Sequence, residues 1–355
     1  MSRFFSKKYT SLTPYTPGEQ PKDMRYIKLN TNESPFPPAP GVQAAIEGEW
    51  DKLQLYSDPE VSRLREKLAE RYDVKPSQVI VTNGSDEVLN FAFMAFADES
   101  RPLAFADITY GFYKVFAQLN GIPYEEIPLA KDFYLNPENY QNIHKTIVIA
   151  NPNAPTGRAI TLREIESILK TNPNNVVIID EAYVDFGCES AVKLVDRYEN
   201  LLVTQTFSKS RSMAGARLGF GIANEKLISD LNTIRYSTNP YNVNRMTEAA
   251  GIATLNDELY FRNNCEIIKR NRKLTETRLG KLGFDVIPSM TNFLFVRSSR
   301  ISGGKLYQEL KNRGILVRHF DKDSISDYIR ITVGTAEQMD QLISTLENIL
   351  EVYSA

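Results

Sequence analysis

The sequence predicts an α/β fold class: a three-layer α/β/α large domain with a mainly parallel sheet, joined to a smaller α+β domain. Short apolar runs, from PLAFAD at residue 102 to LLVTQTF at residue 201, alternate with helical patterns. This alternation is typical of a parallel sheet that carries helices on both faces. After about Tyr236 the pattern changes to a long charged helix, followed by strands and helices in turn. A chain of 355 residues is also too long for one small core.

The first forty residues are expected to form an arm that joins the small domain. They contain seven prolines, which interrupt regular hydrogen-bonded ladders, at positions 14, 17, 21, 35, 37, 38 and 40. We therefore expect the arm at residues 1–40, the large domain at residues 41–236 and the small domain at residues 237–355.

Elements of the large domain follow from the spacing of apolar residues. Between Pro59 and Tyr72 these residues recur on one helical face. The run VIVT at Val79–Thr82 predicts a strand, and the apolar stretch that ends at Phe96 predicts a helix after it. The segment TLREIESILK, Thr161–Lys170, predicts a helix between two strands.

The small domain is expected to begin with a charged helix from about Glu258 to Leu282. The segments FDVIP, TNFLFVR, ILVRHF and YIRITV predict strands. A capping box formed by Thr335 and Gln338 predicts the start of the last helix.

Composition and charge narrow the function classes. A net charge of -2 gives no basic excess for binding nucleic acid, and no stretch is long and apolar enough for a membrane span. The two cysteines, Cys188 and Cys265, cannot build a disulfide framework, and such sparse use is typical of a reducing compartment. The basic N-terminus lacks the apolar run of a signal peptide. The expected location is the cytoplasm, with no nucleic-acid or membrane partner.

A lysine at a predicted strand end is the first candidate functional residue. Lys209 lies in TFSKSRSMAGARLGF, among hydroxyls and glycines and close to Arg211 and Arg217. Open α/β sheets bind their ligands at such strand ends. Burial and neighbouring cations lower the pKa of a lysine and supply the neutral amine that attacks an aldehyde. From these residues alone, a lysine that contacts phosphate or is merely exposed remains an alternative.

A carboxylate at the end of a neighbouring strand is the second candidate. NVVIIDEAY ends an apolar run with Asp180 and Tyr183, and a buried carboxylate is costly unless a partner neutralises it. A protonated pyridine nitrogen is one such partner. A metal ion is the alternative, but only two histidines are present and no cluster of ligands accompanies Asp180, so no metal is expected.

The segment TNGSDE is the third candidate. Gly84 permits a tight turn, and the backbone N–H groups of Ser85 and Asp86 would open a helix, which suits a phosphate. A plain helix cap is the alternative reading. The segment is neither a GxGxxG turn nor a Walker loop, so a nucleotide cofactor has little support.

The order TNGSDE, ITYGFY, NPNAPTG, DEAY and TFSK, followed by Arg217, resembles the fold-type I aminotransferases that depend on pyridoxal 5'-phosphate (PLP). The resemblance covers nearly the whole chain. The segments PYTPGEQP, IKLNTNESPFPP, YSDP, PYNVN and YIRITVGT are similar to those of the histidinol-phosphate aminotransferase subfamily. The resemblance implies PLP as cofactor.

The resemblance also implies roles for the candidate residues. Lys209 would carry PLP as a Schiff base, Asp180 would pair with the pyridine nitrogen, and Tyr183 would donate to the ring oxygen. Tyr110 would stack on the ring. The cofactor phosphate would be bound by the remaining candidates, Gly84, Ser85, Asp86, Thr206, Ser208 and Arg217.

Substrate binding and assembly are likewise implied by the resemblance. Arg330 would bind an anionic group of the substrate, since its fork pairs with carboxylate or phosphate through two bonds. Further candidates for substrate binding are Arg318, Tyr15 and Asn32. Tyr56, in YSDP, matches a tyrosine that reaches the cofactor phosphate of the neighbouring subunit, which implies a homodimer.

One departure from the family pattern lies in NPNAPTG. The family usually has asparagine before PTG, where it bonds the ring oxygen, and here that position is Ala154. Asn153 or Asn151 would substitute, with Asn153 as the candidate, or Tyr183 would hold the oxygen alone.

The expected reaction is exchange of an amino group between L-histidinol phosphate and 2-oxoglutarate, in histidine biosynthesis. Alternatives of the same fold are decarboxylation of L-threonine O-3-phosphate and aromatic aminotransfer. A PLP-binding regulator is disfavoured, because such regulators carry an added DNA-binding segment, for which this chain has neither the length nor the basic charge. A silent homologue is disfavoured because it would be expected to lose Lys209 or Asp180, and both are present. A nicotinamide dehydrogenase is disfavoured because no strand leads into a glycine-rich dinucleotide turn.

Overall fold

The computed structural model describes residues 2–353. Met1, Ser354 and Ala355, at the outer ends of the predicted arm and small domain, lie outside this range. The strands are β1 (Ile27–Lys28), β2 (Val79–Thr82), β3 (Leu103–Ala106), β4 (Tyr124–Ile127), β5 (Thr146–Ala150), β6 (Val177–Asp180), β7 (Leu201–Thr206), β8 (Gly219–Ala223), β9 (Phe284–Ile287), β10 (Phe293–Ser298), β11 (Ile315–Leu316), β12 (Arg318–His319) and β13 (Tyr328–Thr332).

The α-helices follow the same chain order, with several short 3-10 turns between them. They are α1 (Gly41–Glu47), α2 (Ser62–Tyr72), α3 (Ser85–Phe96), α4 (Phe112–Asn120), α5 (Leu162–Thr171), α6 (Glu225–Thr238), α7 (Arg245–Asn256), α8 (Glu258–Lys281), α9 (Gly303–Asn312) and α10 (Ala336–Val352). None of the helices within residues 2–353 is long and apolar enough to cross a membrane.

The large sheet has the strand order β2-β8-β7-β6-β5-β3-β4. Strand β8 runs antiparallel to both of its neighbours, and the other pairs are parallel. Alternate residues of one strand enter different cores: Ile179 packs with α2, α5 and α7, and Ile178 packs with α3, α4 and α6. The sheet therefore lies between two helical layers, which confirms the predicted three-layer α/β/α fold class.

The second core is built on an antiparallel sheet of order β12-β13-β10-β9. Helices α8, α9 and α10 cover it, and their apolar residues pack with β10 and β13. The predicted capping box is present at the start of α10: Thr335 Oγ1 accepts from the backbone N–H of Gln338, whose side chain accepts from the Thr335 N–H.

The arm reaches this second core through its strand. Ile27 and Lys28 pair in parallel with Ile315 and Leu316, and Leu29 packs in the same core. Helix α7, by contrast, packs on α1 and α2 of the large domain, with Ala250 in the large core. Because α7 follows residue 236, we propose that the large domain extends beyond the expected boundary to near Asp257, just before α8.

Candidate active site

The site lies at one edge of the large sheet, where the carboxyl ends of β2, β5, β6 and β7 meet. Helix α3 begins just after β2, Asp180 is the last residue of β6, and Lys209 follows β7 by three residues. Parallel strands bring the segments that follow them to the same edge. Residues far apart in sequence therefore surround one space.

A cavity of about 400 Å³ occupies this edge. This volume suits a small-molecule ligand. Its lining includes most of the candidates for cofactor binding, namely Ser85, Asp86, Tyr110, Asp180, Tyr183, Thr206, Ser208, Lys209 and Arg217.

Lys209 is held at the boundary between the arm and the sheet. Its Nζ donates to the backbone oxygen of Thr31 at 3.2 Å and lies 5.9 Å from the centre of the Tyr183 ring. Burial and the nearby Arg330 guanidinium lower the pKa of Lys209 to about 8. A substantial neutral fraction is therefore available near neutral pH, as a nucleophile or base requires.

Asp180 is buried on the wall of the cavity. Its Oδ2 accepts from the Tyr113 hydroxyl at 2.7 Å, and its Oδ1 accepts from the Ala182 N–H at 3.3 Å and the Thr204 hydroxyl at 3.4 Å. Burial raises the pKa of Asp180 to about 6, although the Tyr113 hydroxyl opposes the shift. Within residues 2–353 no lysine, arginine or histidine forms an ion pair with it. A cationic ligand atom would relieve this buried charge.

Tyr183 receives a hydrogen bond from the arm. Asn32 Nδ2 donates to the Tyr183 hydroxyl oxygen at 3.0 Å, so the hydroxyl hydrogen is free to donate toward a ligand. Asn32 itself has a positive φ of 55° and is fixed from the small domain, because its backbone N–H donates to Thr332 Oγ1 at 3.0 Å. Burial raises the pKa of Tyr183, which keeps this donor protonated.

The start of α3 forms a cradle next to Arg217. Gly84 has a φ of 84°, and a Cβ there would lie 2.6 Å from Arg217 Nη2. A Cβ at Gly219 would lie 2.2 Å from the backbone nitrogen of Ser85, so β8 approaches α3 only because residue 219 is glycine. Arg217 Nη2 donates to Asp86 Oδ2 at 3.2 Å. The free N–H groups and this cation suit an anion.

Two hydroxyls continue the cradle. Thr206 Oγ1 and Ser208 Oγ lie 2.9 Å apart, and both line the cavity. They line the same cavity as Ser85, Asp86 and Lys209.

Tyr110 and Tyr15 form an aromatic edge to the cavity. The Tyr110 hydroxyl donates to Asp86 Oδ1 at 2.9 Å, which fixes its ring. The Tyr15 ring, from the arm, lies 4.3 Å from Phe112 and 6.3 Å from Tyr110 between ring centres. Tyr15 does not line the cavity but packs behind this edge.

Arg330 and Arg318 lie on the small-domain side, outside the cavity lining. Arg330 Nη2 donates to the Asn30 backbone oxygen at 3.0 Å, and its Nε is buried with no hydrogen-bond partner among residues 2–353. Burial lowers the pKa of Arg330. Arg318 donates to the backbone oxygens of Thr16 and Pro17, each at 3.2 Å. Arg318 therefore holds the arm in this structure.

Two candidates lie away from the cavity. Tyr56 is 80% exposed and stacks on Tyr241 with ring centres 4.5 Å apart. Asn153 Nδ2 donates to the Ile108 backbone oxygen and to Thr156 Oγ1, both at 2.9 Å. Ala154, not Asn153, lines the cavity. The expectation that Asn153 binds the ring oxygen therefore has no structural support, because its amide is used within the loop.

Some residues of the site were not among the candidates. Tyr113, in α4, contacts Asp180 from a position 67 residues earlier, and Thr31 provides the oxygen that accepts from Lys209. Glu33 and Gln20 of the arm line the cavity as well. The repeated aromatics of ITYGFY were the available signal for Tyr113, but its direction depends on the turn into α4.

Comparisons with known proteins agree with this architecture. Residues 25–346 match the family described as aminotransferase class I and II. The chain is 48% identical to a histidinol-phosphate aminotransferase of Brachyspira hyodysenteriae, covering 99% of this chain and all of that one. It is 50% identical to a histidinol-phosphate aminotransferase of Chromohalobacter salexigens, covering 98% and 99%. The crystal structure of a histidinol-phosphate aminotransferase from Sinorhizobium meliloti, in complex with pyridoxal-5'-phosphate, has the same fold, with a TM-score of 0.89, 22% identity and 99% coverage of both chains.

Proposed function

The chain belongs to the class I and II aminotransferase family, and we propose that it is a PLP-dependent enzyme that transfers the amino group of L-histidinol phosphate to 2-oxoglutarate. The observation that carries the proposal is the meeting of Lys209 and Asp180 on one cavity beside the start of α3. The two relatives that are 48% and 50% identical, and bear this activity in their names, support the choice of substrate.

The residues present fit PLP. Asp180 is a buried carboxylate without a cationic partner in the described chain, and a protonated pyridine nitrogen would supply one. The N–H groups at the start of α3, together with Arg217, Thr206 and Ser208, would bind the phosphate.

When bound, PLP supplies an electron sink that makes the Cα–H bond of an attached amine more acidic. Lys209 Nζ, with its lowered pKa, would accept the proton from the substrate Cα and donate it to the cofactor carbon that receives the amino group. Asp180 would keep the pyridine nitrogen protonated, and the Tyr183 hydroxyl, oriented by Asn32, would donate to the ring oxygen. Tyr110 would cover the ring.

The small domain and the arm would bind the substrate. Arg330 has an Nε with no partner among residues 2–353, and its guanidinium would bind a phosphate or carboxylate. Arg318, which holds the arm in this structure, would add a second cation near it. Tyr15 and Asn32 would border the same region from the arm. This arrangement supports a phosphorylated amine as donor.

Two further proposals concern assembly and location. Tyr56 is exposed and lies outside the lining of its own cavity, which supports a homodimer in which it reaches the cofactor phosphate of the partner subunit's site.

Cys188 and Cys265 are unpaired, which supports a reducing cytoplasmic location. Fractionation of cells that express the full chain would test the location.

The function is tested by incubating the protein with PLP, 2-oxoglutarate and one donor at a time. We expect glutamate to form with L-histidinol phosphate faster than with phenylalanine or tyrosine, and no carbon dioxide to form from L-threonine O-3-phosphate. Carbon dioxide release would show that the protein is a decarboxylase. Equal rates with aromatic donors would show that it is a broad aromatic aminotransferase. No product from any donor would refute the proposal.

Lys209→Ala is expected to lower turnover by at least ~10²–10⁴-fold, because the general base is removed. Lys226→Ala is the matched control, since the Lys226 side chain is 86% exposed and belongs to the surface of α6. Turnover near the wild-type value in Lys209→Ala would exclude the assignment.

The shared site is tested by mixing Lys209→Ala with Tyr56→Ala, which we expect to lower activity when each is present alone. If Tyr56 acts on the partner subunit, a mixed dimer regains one site with both side chains, and activity returns on mixing. If Tyr56 acts within its own chain, mixing restores nothing.

A further inference from the structure

Tyr113 is the strongest hydrogen-bond donor to Asp180. Its hydroxyl lies 2.7 Å from Oδ2, whereas the contacts to Oδ1 from Ala182 N–H and Thr204 Oγ1 are 3.3 and 3.4 Å long. Tyr113 is fully buried in α4, and Asp180 is 5% exposed. Because water is largely excluded, one short hydrogen bond contributes more to the carboxylate than it would at the surface.

The packing around Tyr113 holds its hydroxyl in one direction. Its ring lies edge-on to Phe105 and Tyr110, with ring centres 5.8 and 5.6 Å away, and is tilted against Phe93 at 6.4 Å. Tyr110 is the residue expected to cover the cofactor ring. The same aromatic cluster therefore positions both the covering ring and the donor to Asp180.

We propose that Tyr113 is a positioning residue, which orients the Asp180 carboxylate and keeps it ionised so that it can bind a protonated pyridine nitrogen. The proposal rests on the proposed PLP function and adds a residue that acts through Asp180 without touching the cofactor. With Oδ2 held by Tyr113, Oδ1 retains acceptor capacity for the ligand because its other contacts are long.

The electrostatic surroundings require such a donor. The titratable groups that face Asp180 are Tyr113 from α4, Asp86 from α3, Tyr110 before α4 and Tyr183 after β6. Asp86 opposes ionisation of Asp180, and burial does so more strongly. Burial also raises the pKa of Tyr113 well above its ordinary value, so its hydroxyl remains a donor over the whole working range.

The first test is Tyr113→Phe, which keeps the ring and removes the hydroxyl. We expect the dissociation constant of PLP, measured by absorbance titration of the full-length protein at pH 7.5, to rise by about tenfold or more, the equivalent of one hydrogen bond to a charged group. Tyr140→Phe is the matched control: Tyr140 is also buried, its hydroxyl has no partner among residues 2–353, and it packs in the core on the other face of the sheet. An equal dissociation constant in Tyr113→Phe and wild type would overturn the proposal.

The pH dependence of PLP affinity separates a positioning role from packing. Loss of the donor raises the pKa of Asp180, so the pH below which affinity falls should move upward in Tyr113→Phe and stay in place in Tyr140→Phe. A weaker affinity with an unmoved midpoint would mean that Tyr113 only packs, which also overturns the proposal. Should Tyr113→Phe not fold, Thr204→Val, which removes the weaker donor, is expected to move the midpoint upward by a smaller amount, and an unmoved midpoint there counts against the proposal.

A double-mutant cycle tests whether Tyr113 acts through Asp180. In an Asp180→Asn background no charge remains to be held, so adding Tyr113→Phe should change PLP affinity by less than in the wild-type background. Equal effects in the two backgrounds would overturn the proposal. The proposed function fails separately, if wild-type protein does not bind PLP at all.

Discussion

The cavity has two walls that are held in different ways. The sheet wall consists of residues at strand ends and the start of α3: Ser85, Asp86, Asp180, Thr206, Ser208 and Lys209. The arm wall lines the cavity with Gln20, Thr31 and Glu33. Outside this lining it includes Tyr15 and Asn32 from the arm and Arg318 and Arg330 from β12 and β13. Contacts that hold the arm wall join residues about 300 positions apart, such as Asn32 to Thr332 and Arg330 to Asn30. The sheet wall is therefore a product of the large core, and the arm wall depends on a few hydrogen bonds.

This difference predicts that the two walls have separate functions. Changes in the sheet wall should affect cofactor binding and every substrate alike, and changes in the arm wall should affect the Michaelis constant of the amine substrate first. Each variant below either sharpens this division or breaks it.

Asp180→Asn should have the largest effect. It removes one partner of a buried charge pair, a loss that typically costs about 3–5 kcal/mol, so PLP affinity should fall by roughly 10²–10⁴-fold. The readout is the dissociation constant of PLP by absorbance titration. Asp340→Asn is the control, because the Asp340 side chain is exposed on α10. If Asp180→Asn changed only the Michaelis constant of the amine, the division between walls would be wrong.

The contribution of Asp180 to the stability of the cofactor-free protein should fall as pH rises from about 4 to about 6. Burial raises the pKa of Asp180 from 3.8 to about 6, so in this window the folded chain binds a proton that the unfolded chain has released. A shift of about two units corresponds to ~3 kcal/mol at most. Glu181, whose pKa burial raises to about 7, extends the fall to higher pH.

Urea unfolding at several pH values measures this fall in stability. Asp180→Asn should remove the Asp180 contribution to the pH dependence of the unfolding free energy between pH 4 and 6. The contribution of Glu181 should remain. The wild type should lose stability relative to Asp180→Asn across this window, and a constant or growing advantage of the wild type would contradict the sign.

Arg330→Gln should weaken substrate binding at the arm wall and also raise the pKa of Lys209. Losing a charge-assisted bond to the substrate anion should raise the Michaelis constant of L-histidinol phosphate about 10–100-fold. The Arg330 cation lowers the pKa of Lys209. Its removal should therefore move the pH at which turnover rises, as Lys209 loses its proton, to a higher value. Arg313→Gln, on the outer face of the same domain, is the control. An unchanged Michaelis constant would remove Arg330 from the substrate site.

The two walls also differ in what sequence reasoning could reach. The strand at Val79–Thr82 and the helix from Glu258 were predicted because each follows from local spacing of apolar and charged residues. The strand-end residues could be grouped because parallel strands share an edge. The contact between Tyr113 and Asp180 could not be predicted, since it depends on how α4 packs on the sheet.

Loop geometry set the other limits. In NPNAPTG the direction of each side chain depends on backbone rotation, and the structure turns Asn153 into the loop and Ala154 toward the cavity. The domain boundary that we propose near Asp257 could not be predicted, because α7 carries no sequence feature that tells which core its apolar face joins. Only the packing of Ala250 on the large core assigns it.

Asn32 connects the two walls, and its variants should have a moderate effect. Asn32→Ala and Asn32→Gly both remove the donor to Tyr183, so kcat/KM should fall by about fivefold in each, the equivalent of ~1 kcal/mol. Only Ala is strained at the φ of 55°, so Asn32→Ala should be less stable than Asn32→Gly by roughly 1–2 kcal/mol. Thermal unfolding and steady-state kinetics separate the two effects. Full activity in Asn32→Gly would show that Tyr183 does not need this donor.

Glu19→Gln should have the smallest effect, confined to the arm wall. The Glu19 carboxylate pairs with Lys311 and accepts from the Tyr307 hydroxyl, and these contacts fix the arm next to Tyr15. Partly exposed ion pairs contribute only about 0.2–1 kcal/mol, so the Michaelis constant of the amine should rise by about two- to fivefold. PLP affinity should not change, because the sheet wall does not depend on the arm for its position. The control is Glu125→Gln. Glu125 lies on the edge strand β4, and this change breaks its surface ion pair with Lys145. A loss of PLP affinity in Glu19→Gln would mean that the arm also holds the sheet wall, through the bond from Lys209 to Thr31.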